Sequence, residues 1–338
     1  MRLLVTGGSG FMGSNAIHYL LRERPECQIV NLDKLTYAGN PENLRDIEKD
    51  PRYTFVQGDI AVEADVEKAF AHGPFDAILN YAAETHVDRS ILDPSAFVMT
   101  DVIGTYRLLE AVRKYNVPRL VQISTDEVFG VAHEHPFRED DRFDPSSPYS
   151  ASKAGADLLI SAYVKTFGTP AIVTHSCNFY GPNQYPEKLI PLFITNLLEG
   201  KRVPVYGDGR QVREWIYTED HCAAVLAILE RGRLGAVYNI GTGDRLENIA
   251  VTKKLLALAG AGEGMIEHVT DRSAHDVRYE VDSTRLRTEL GWAPTVAFDD
   301  GLTKTVSWYK EHRPWWEAIK SGDYLKYYEQ QYGARHSS

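Results

Sequence analysis

The 338-residue chain has only three cysteines, Cys27, Cys177 and Cys222, and no C-x-x-C pair. That leaves neither a disulfide framework nor a cysteine zinc site, and points to reduced thiols in a cytoplasmic protein. No apolar run reaches membrane-spanning length, so no membrane partner is expected. The opening "MRLLVTGGSGFMGS" meets glycines too soon to read as a signal peptide. Positive charge is scarce: 37 Lys and Arg stand against 47 Asp and Glu, a net charge of -10. A general nucleic-acid binder is more often basic, so nucleic acid is not an expected partner either. Repeats and low-complexity tracts are missing. His86, His133, His135 and His221 lack paired metal-ligand spacing, so no metal is expected. The composition, 43% hydrophobic and 25% charged, suits a soluble globular chain able to bury a core without staples.

What the chain does have is alternation. Strand-like apolar runs fall at Leu3–Thr6, Gln28–Asp33, Tyr53–Gln57, Ala77–Asn80, Leu120–Ser124 and Ala171–Ser176. Helix-length stretches near 11–24, 62–72, 94–115 and 149–167 separate them. This rhythm predicts an α/β fold: a Rossmann-like, doubly wound parallel sheet with helices on both faces. After residue 177 the rhythm is lost, and Pro and Gly cluster in "YGPNQYPEKLIP" and "VPVYGDGRQVREW". A smaller C-terminal α/β substrate domain is expected there, closing over the first. The segment "WIYTEDHCAAVLAILER", 215–231, reads as a helix that returns to the first domain. The expected division is 1–176, with about 212–237 returning, for the dinucleotide domain. Residues 177–211 and 238–335 form the second.

"TGGSGFMGS" carries Gly7, Gly10 and Gly13 between a strand and a helix. Glycine there permits a tight turn and close approach of a diphosphate, which the helix N-terminus then holds by free N–H groups and dipole. Asp33, twenty residues past Gly13 at the end of the second strand, can accept bonds from the adenosine ribose hydroxyls. It would repel a 2'-phosphate, which favours NAD over NADP; Lys34 beside it weakens that preference. Asp59-Ile60 falls at the end of the third strand and could flank the adenine. Ala82 and Ala83 follow the fourth and are small enough for backbone to approach the cofactor.

"SPYSASKAGADLL" sets Tyr149 and Lys153 four apart at a helix start, on one face. A lysine ammonium beside a phenol is expected to lower the tyrosine pKa. Such a tyrosine can take a proton from an alcohol as hydride leaves the same carbon. The lysine can also hold the nicotinamide ribose. In "ISTDEVFG" a buried strand breaks into Ser124, Thr125, Asp126 and Glu127. Two adjacent carboxylates at a strand end can titrate as a coupled pair, which keeps one protonated.

The N-terminal glycines, Ser124-Thr125 and Tyr149-x-x-x-Lys153 together resemble the extended short-chain dehydrogenase/reductases that act on nucleotide sugars. Within them, "LDKLTYAGN", "AAETHVDRS", "STDEVFG", "PYSASKA", "YPEKLIPLF", "YGDGRQVREW" and "DRSAHDVRY" resemble the dTDP-glucose 4,6-dehydratases over nearly the whole chain. The resemblance implies a 4,6-dehydratase making a 4-keto-6-deoxy sugar with retained NAD. Glu127 would be the base at C5 and Asp126 the acid for the leaving water. Thr125 would bond the 4-oxygen beside Tyr149. It adds Phe11, Met12, Lys34, Leu35, Thr36, Tyr81, Thr85 and Thr100 to the cofactor's surroundings. It gives the sugar nucleotide Thr85, Asn178, Lys188, Leu189, Pro204, Tyr206, Arg213, Asn248, Arg272 and His275. It also implies a homodimer, for which helices near 94–115 and 149–167 are the candidates.

The chain departs from the family pattern in places. His175 stands where Arg is common, and Phe179 where a second Asn is common. Both are expected near the nicotinamide and phosphates. Phe129 for Tyr and Met12 for Ile read as packing variants. "NFYGPNQYPEKLIP" is also similar to UDP-glucose 4,6-dehydratases, which keeps UDP-glucose open. Sibling epimerases and decarboxylases share Tyr149 and Lys153 but not the Asp126-Glu127 step.

Overall fold

The computed structural model describes residues 1–132, 135–271 and 276–332. His133, Arg272 and His275 therefore lie outside the described residues. Among the described residues twelve strands are formed: β1 (Arg2–Thr6), β2 (Gln28–Asp33), β3 (Tyr53–Gln57), β4 (Ala77–Asn80), β5 (Leu120–Thr125) and β6 (Ala171–Ser176), then β7 (Asn178–Tyr180), β8 (Val203–Tyr206), β9 (Val212–Tyr217), β10 (Val237–Ile240), β11 (Arg245–Glu247) and β12 (Ile266–Val269).

Seven of them make one parallel sheet in the order β10-β6-β5-β4-β1-β2-β3. Alternate residues of each strand serve opposite faces, and both faces are covered. Leu3, Val5, Ile29, Leu79 and Val121 pack on helices Phe11–Glu23 and Thr218–Arg231. Leu4, Val30, Ile78 and Leu120 pack on helices Glu63–Phe70, Thr105–Tyr115 and Pro148–Phe167. Burial on both faces is why these strands read as unbroken apolar runs. The chain order reverses across β1, so a crevice opens between β1 and β4 at their C-terminal ends, where such sheets bind ligands.

A smaller lobe carries the three-stranded sheet β11-β9-β7 and the parallel pair β12-β8. Tyr180, Phe193, Trp215, Tyr217, Phe298, Tyr309 and Trp316 dominate its core. Three local expectations are corrected. The stretch 215–231 is a strand before it is a helix: Trp215, Ile216 and Tyr217 complete β9, and the helix begins at Thr218. Their bulk suits a pleated sheet better than a first helical turn. Second, β9 pairs in the small sheet, whereas β10, at the far end of the returning segment, pairs with β6. Third, the helix expected over 94–115 is interrupted, with Val98–Gly104 wound as a π-helix. Among the described residues no helix is long and apolar enough to cross a membrane.

Candidate active site

A cavity of about 310 Å³ fills the crevice. Its wall gathers Gly7, Gly10, Phe11, Met12, Gly13, Asp33, Lys34, Thr36, Asp59, Ile60, Tyr81, Ala82, Ala83, Thr85 and Thr100 on one side. Thr125, Asp126, Glu127, Tyr149 and Lys153 form its floor, with Asn178, Lys188 and Leu189 beyond them. Residues scattered over most of the chain are thus brought to one site.

The glycine loop is built for close approach. Gly7 has φ +67, and a Cβ on it would lie 2.6 Å from the Ala82 nitrogen. A Cβ on Gly13 would lie 2.2 Å from the Gly7 carbonyl oxygen. No side chain caps the helix that starts at Phe11, so its first N–H groups face the cavity's phosphate-sized turn. Asp33 is fixed beside it, accepting from the Ser9 N–H at 2.8 Å and the Leu35 N–H at 2.8 Å. Burial raises its pKa despite those bonds. Leu35 itself, at φ +58, is off the cavity wall. Lys34 is drawn away from Asp33, its Nζ lying 2.7 Å from Asp59 Oδ2. The loop and its acid therefore fit a dinucleotide whose adenosine ribose carries free hydroxyls.

The catalytic cluster sits where β5 ends. Thr125 is the last strand residue, and its hydroxyl accepts from the Glu127 N–H at 3.3 Å, opening a 3-10 turn over Asp126–Phe129. Helix Pro148–Phe167 is started by a capping box between Ser147 and Ser150, with Pro148 at its first position. That start places Tyr149 and Lys153 against the turn. Lys153 Nζ donates to the Ile123 carbonyl at 2.8 Å.

The two acids of the turn are not equivalent. Asp126 is 2% exposed, and burial pushes its pKa well up; Glu127 and Glu214 push further, against Arg213. Its Oδ2 has no hydrogen-bond partner among the described residues. Burial and the neighbouring acids therefore favour the protonated form of Asp126. Tyr149 departs from expectation. Its pKa is raised, chiefly by burial and by the charges of Glu127 and Asp101, with a Thr125 hydrogen bond as partial relief. Helical spacing puts the lysine on the same face, but burial among acids outweighs it.

The substrate-side residues are divided. Lys188 Nζ donates to the Thr85 carbonyl at 2.6 Å, bridging the lobes at the cavity. Asn178 Oδ1 and Asn248 Oδ1 are buried without partners among the described residues. Pro204, Tyr206, Arg213 and Asn248 are not on the wall. Tyr206 donates to Asp88 Oδ2 at 3.3 Å. Arg213 lies over the Tyr279 ring at 4.3 Å and donates to the Asp276 carbonyl at 2.9 Å. Phe179 lines the cavity, but His175 does not. His175 sits 3.2 Å from Asp157 Oδ2, edge-on to Phe129 and Phe143 in the core. Its period-2 position on β6 turns it away from the site, which corrects the expectation above. Phe129 stacks on Phe137, in keeping with a packing role.

Other wall residues went unread. Glu84 is pushed up to about 7 by burial and by Asp101. Glu187 is buried, accepting from Arg89 Nε at 2.9 Å and Tyr37 at 2.9 Å. Both lie inside quoted motifs, but their neighbours come from distant segments and leave no local signal.

Known proteins match the whole arrangement. The sequence model of the family described as GDP-mannose 4,6 dehydratase matches residues 4–305. A dTDP-glucose 4,6-dehydratase of Streptomyces niveus is 48% identical over 96% of this chain and 97% of its own. The low-salt glycan biosynthesis protein Agl12 of Haloferax volcanii is 49% identical over 91% of this chain and 98% of its own. A dTDP-glucose 4,6-dehydratase from Streptomyces venezuelae, crystallised with NAD and TYD bound, superposes with a TM-score of 0.92 at 47% identity, covering 95% of this chain and 100% of that one.

Proposed function

We propose that this chain, which belongs to the nucleotide-sugar 4,6-dehydratases of the extended short-chain dehydrogenase/reductases, is an NAD-dependent hydro-lyase converting dTDP-glucose to dTDP-4-keto-6-deoxyglucose. The observation that carries the reading is the unequal pair at the end of β5. Asp126 is buried with its carboxyl pushed well up, and Glu127 beside it shares the cavity with Tyr149. Elimination of water needs one acid and one base in reach of adjacent carbons; a 4-epimerase does not need this further pair.

The residues divide the work as follows. Gly7, Gly10 and Gly13 cradle the diphosphate of the dinucleotide, and Asp33 holds its adenosine ribose. When bound, NAD supplies a positively charged ring that takes hydride from sugar C4 and gives it back at C6. Tyr149, once it has released its own proton to solvent, takes the proton of the 4-hydroxyl, and Thr125 bonds the 4-oxygen. The 4-ketone makes the C5 hydrogen acidic, and Glu127 removes it. Asp126 passes its proton to the 6-hydroxyl, which leaves as water. Glu127 then returns a proton to C5. The sum is loss of one water with no net redox change, so no second redox partner is required.

Lys153 holds the nicotinamide ribose. Asn178, Lys188 and Leu189 take the sugar diphosphate, with Arg213, Asn248, Pro204, Tyr206, Arg272 and His275 completing the nucleotide grip. The enzyme works in the cytoplasm as a homodimer. The π-helix Val98–Gly104 and the neighbouring helix Pro148–Phe167 support that assembly, because Val98 and Met99 on the first are 49% and 50% exposed and Leu158 on the second is 61% exposed. The test is incubation with dTDP-glucose and identification of the product by NMR. A 4-keto-6-deoxy sugar is expected, and a recovered 4-epimer would overturn the reading.

A further inference from the structure

The helix that carries Tyr149 and Lys153 packs on the interrupted one. Between the helical turns Ser95–Phe97 and Thr105–Tyr115, Val98–Gly104 is a π-helix. Such a turn costs stability and recurs at functional sites, where it re-aims side chains. Here it brings Thr100 to the cavity wall and leaves Asp101 2% exposed. Both Asp101 oxygens are bonded. Oδ1 accepts from the Glu84 N–H at 3.2 Å, and Oδ2 from the Ser152 hydroxyl at 2.6 Å. Ser152 Oγ also lies 2.8 Å from the Tyr149 carbonyl. Asp101 is thus tied to the very turn between Tyr149 and Lys153, yet no step above uses it.

Lys153 is 3% exposed, and its bond to the Ile123 carbonyl is to a neutral group. A buried ammonium needs a counter-charge as well as hydrogen bonds. We propose that Asp101 is a positioning residue whose buried carboxylate is the counter-charge holding the Lys153 ammonium at the cavity floor. The inference rests on the role given to Lys153 above.

The surrounding charges single Asp101 out. Burial pushes its carboxyl up to about 6, and Lys153 is the first group that pulls it back. Asp157, one turn after Lys153 on the same helix, has its Oδ2 bonded by Ser124 at 2.5 Å and by His175 at 3.2 Å, while its Oδ1 has no partner among the described residues. Burial pushes the Asp126 carboxyl well up, and Glu127 lies with it on the turn after β5. Glu84 faces Asp101 from the loop after β4, with its own carboxyl at about 7. The Asp101 charge also acts on the Tyr149 phenol, raising it. Ionised Asp101 therefore favours Tyr149 as a neutral phenol, which has to give up its own proton before it can accept one.

The experiment measures NAD affinity by tryptophan fluorescence, without sugar, from ~pH 5 to 9 for the wild type and for Asp101→Asn, Asp101→Glu and Ser152→Ala. Wild-type affinity should fall as pH drops through about 6, when Asp101 takes a proton. Asp101→Asn should weaken binding about tenfold at pH 8 and lose that acid limb, and Asp101→Glu should restore it. Ser152→Ala removes a bond that favours the ionised form, so its limb should move to higher pH. That arm stands even if Asp101→Asn does not fold. A uniform loss at every pH with the limb intact, or an unmoved limb in Ser152→Ala, would overturn the proposal. Because affinity is read without sugar, a failed dehydratase assay would sink the reaction and not this readout.

Discussion

Asp126 and Glu127 are neighbours in sequence and both line the cavity with Tyr149, but the fold sets Asp126 apart by its environment. It is 2% exposed, and burial, Glu127 and Glu214 all push its carboxyl up. The presence of the pair was legible in "STDEVFG", and so was the coupling of two adjacent acids. The upward push on Asp126 was not, because it depends on burial and on Glu214, which β9 brings near from far along the chain. The raised Tyr149 pKa was illegible for the same reason: spacing reveals the lysine, not the sum of acids packed around the phenol. Glu84 gives a test at this scale. Its folded pKa, about 7, lies above the ordinary 4.5. Between those values the folded state binds more protons than the unfolded one. Stability from this group is therefore lost as pH rises through that window, and the loss is complete above it. Glu84→Gln should stabilise the protein by about 1–2 kcal/mol at pH 8 and by nothing measurable near pH 4.5. Thermal unfolding at the two pH values checks this; equal shifts at both would contradict it.

At the scale of elements, the main sheet was largely readable. Six of its strands stand as apolar runs, and their burial on both faces explains why. The seventh, β10, is four residues long and lies after a helix already assigned to a return, so its partner could not be inferred. The π-helix over Val98–Gly104 carries no proline or paired glycines to announce it. The glycine loop was readable because its constraint is local. A side chain at Gly13 meets the Gly7 carbonyl, which is backbone and cannot yield. Gly13→Val should therefore yield protein purified without bound NAD, with affinity reduced at least ~100-fold, about 3 kcal/mol. Absorbance and titration calorimetry check this; retained cofactor would contradict the cradle.

The whole molecule places the reaction between two lobes and leaves an apolar face outside them. Leu158, Val98 and Met99 are exposed on neighbouring helices. A second copy related by a two-fold axis would cover both patches at once. Leu158→Asp should convert a dimer to a monomer by light scattering while leaving the fold intact by circular dichroism. A wild-type monomer would refute the assembly. The proton transfer at C5 is tested most directly with wild type and Glu127→Gln incubated with dTDP-glucose in deuterium oxide and followed by NMR. The wild type should form 4-keto-6-deoxy product with deuterium at C5. In Glu127→Gln both product and C5 exchange should fall by about 10²–10⁴-fold while oxidation at C4 persists. Undiminished C5 exchange in Glu127→Gln would contradict it.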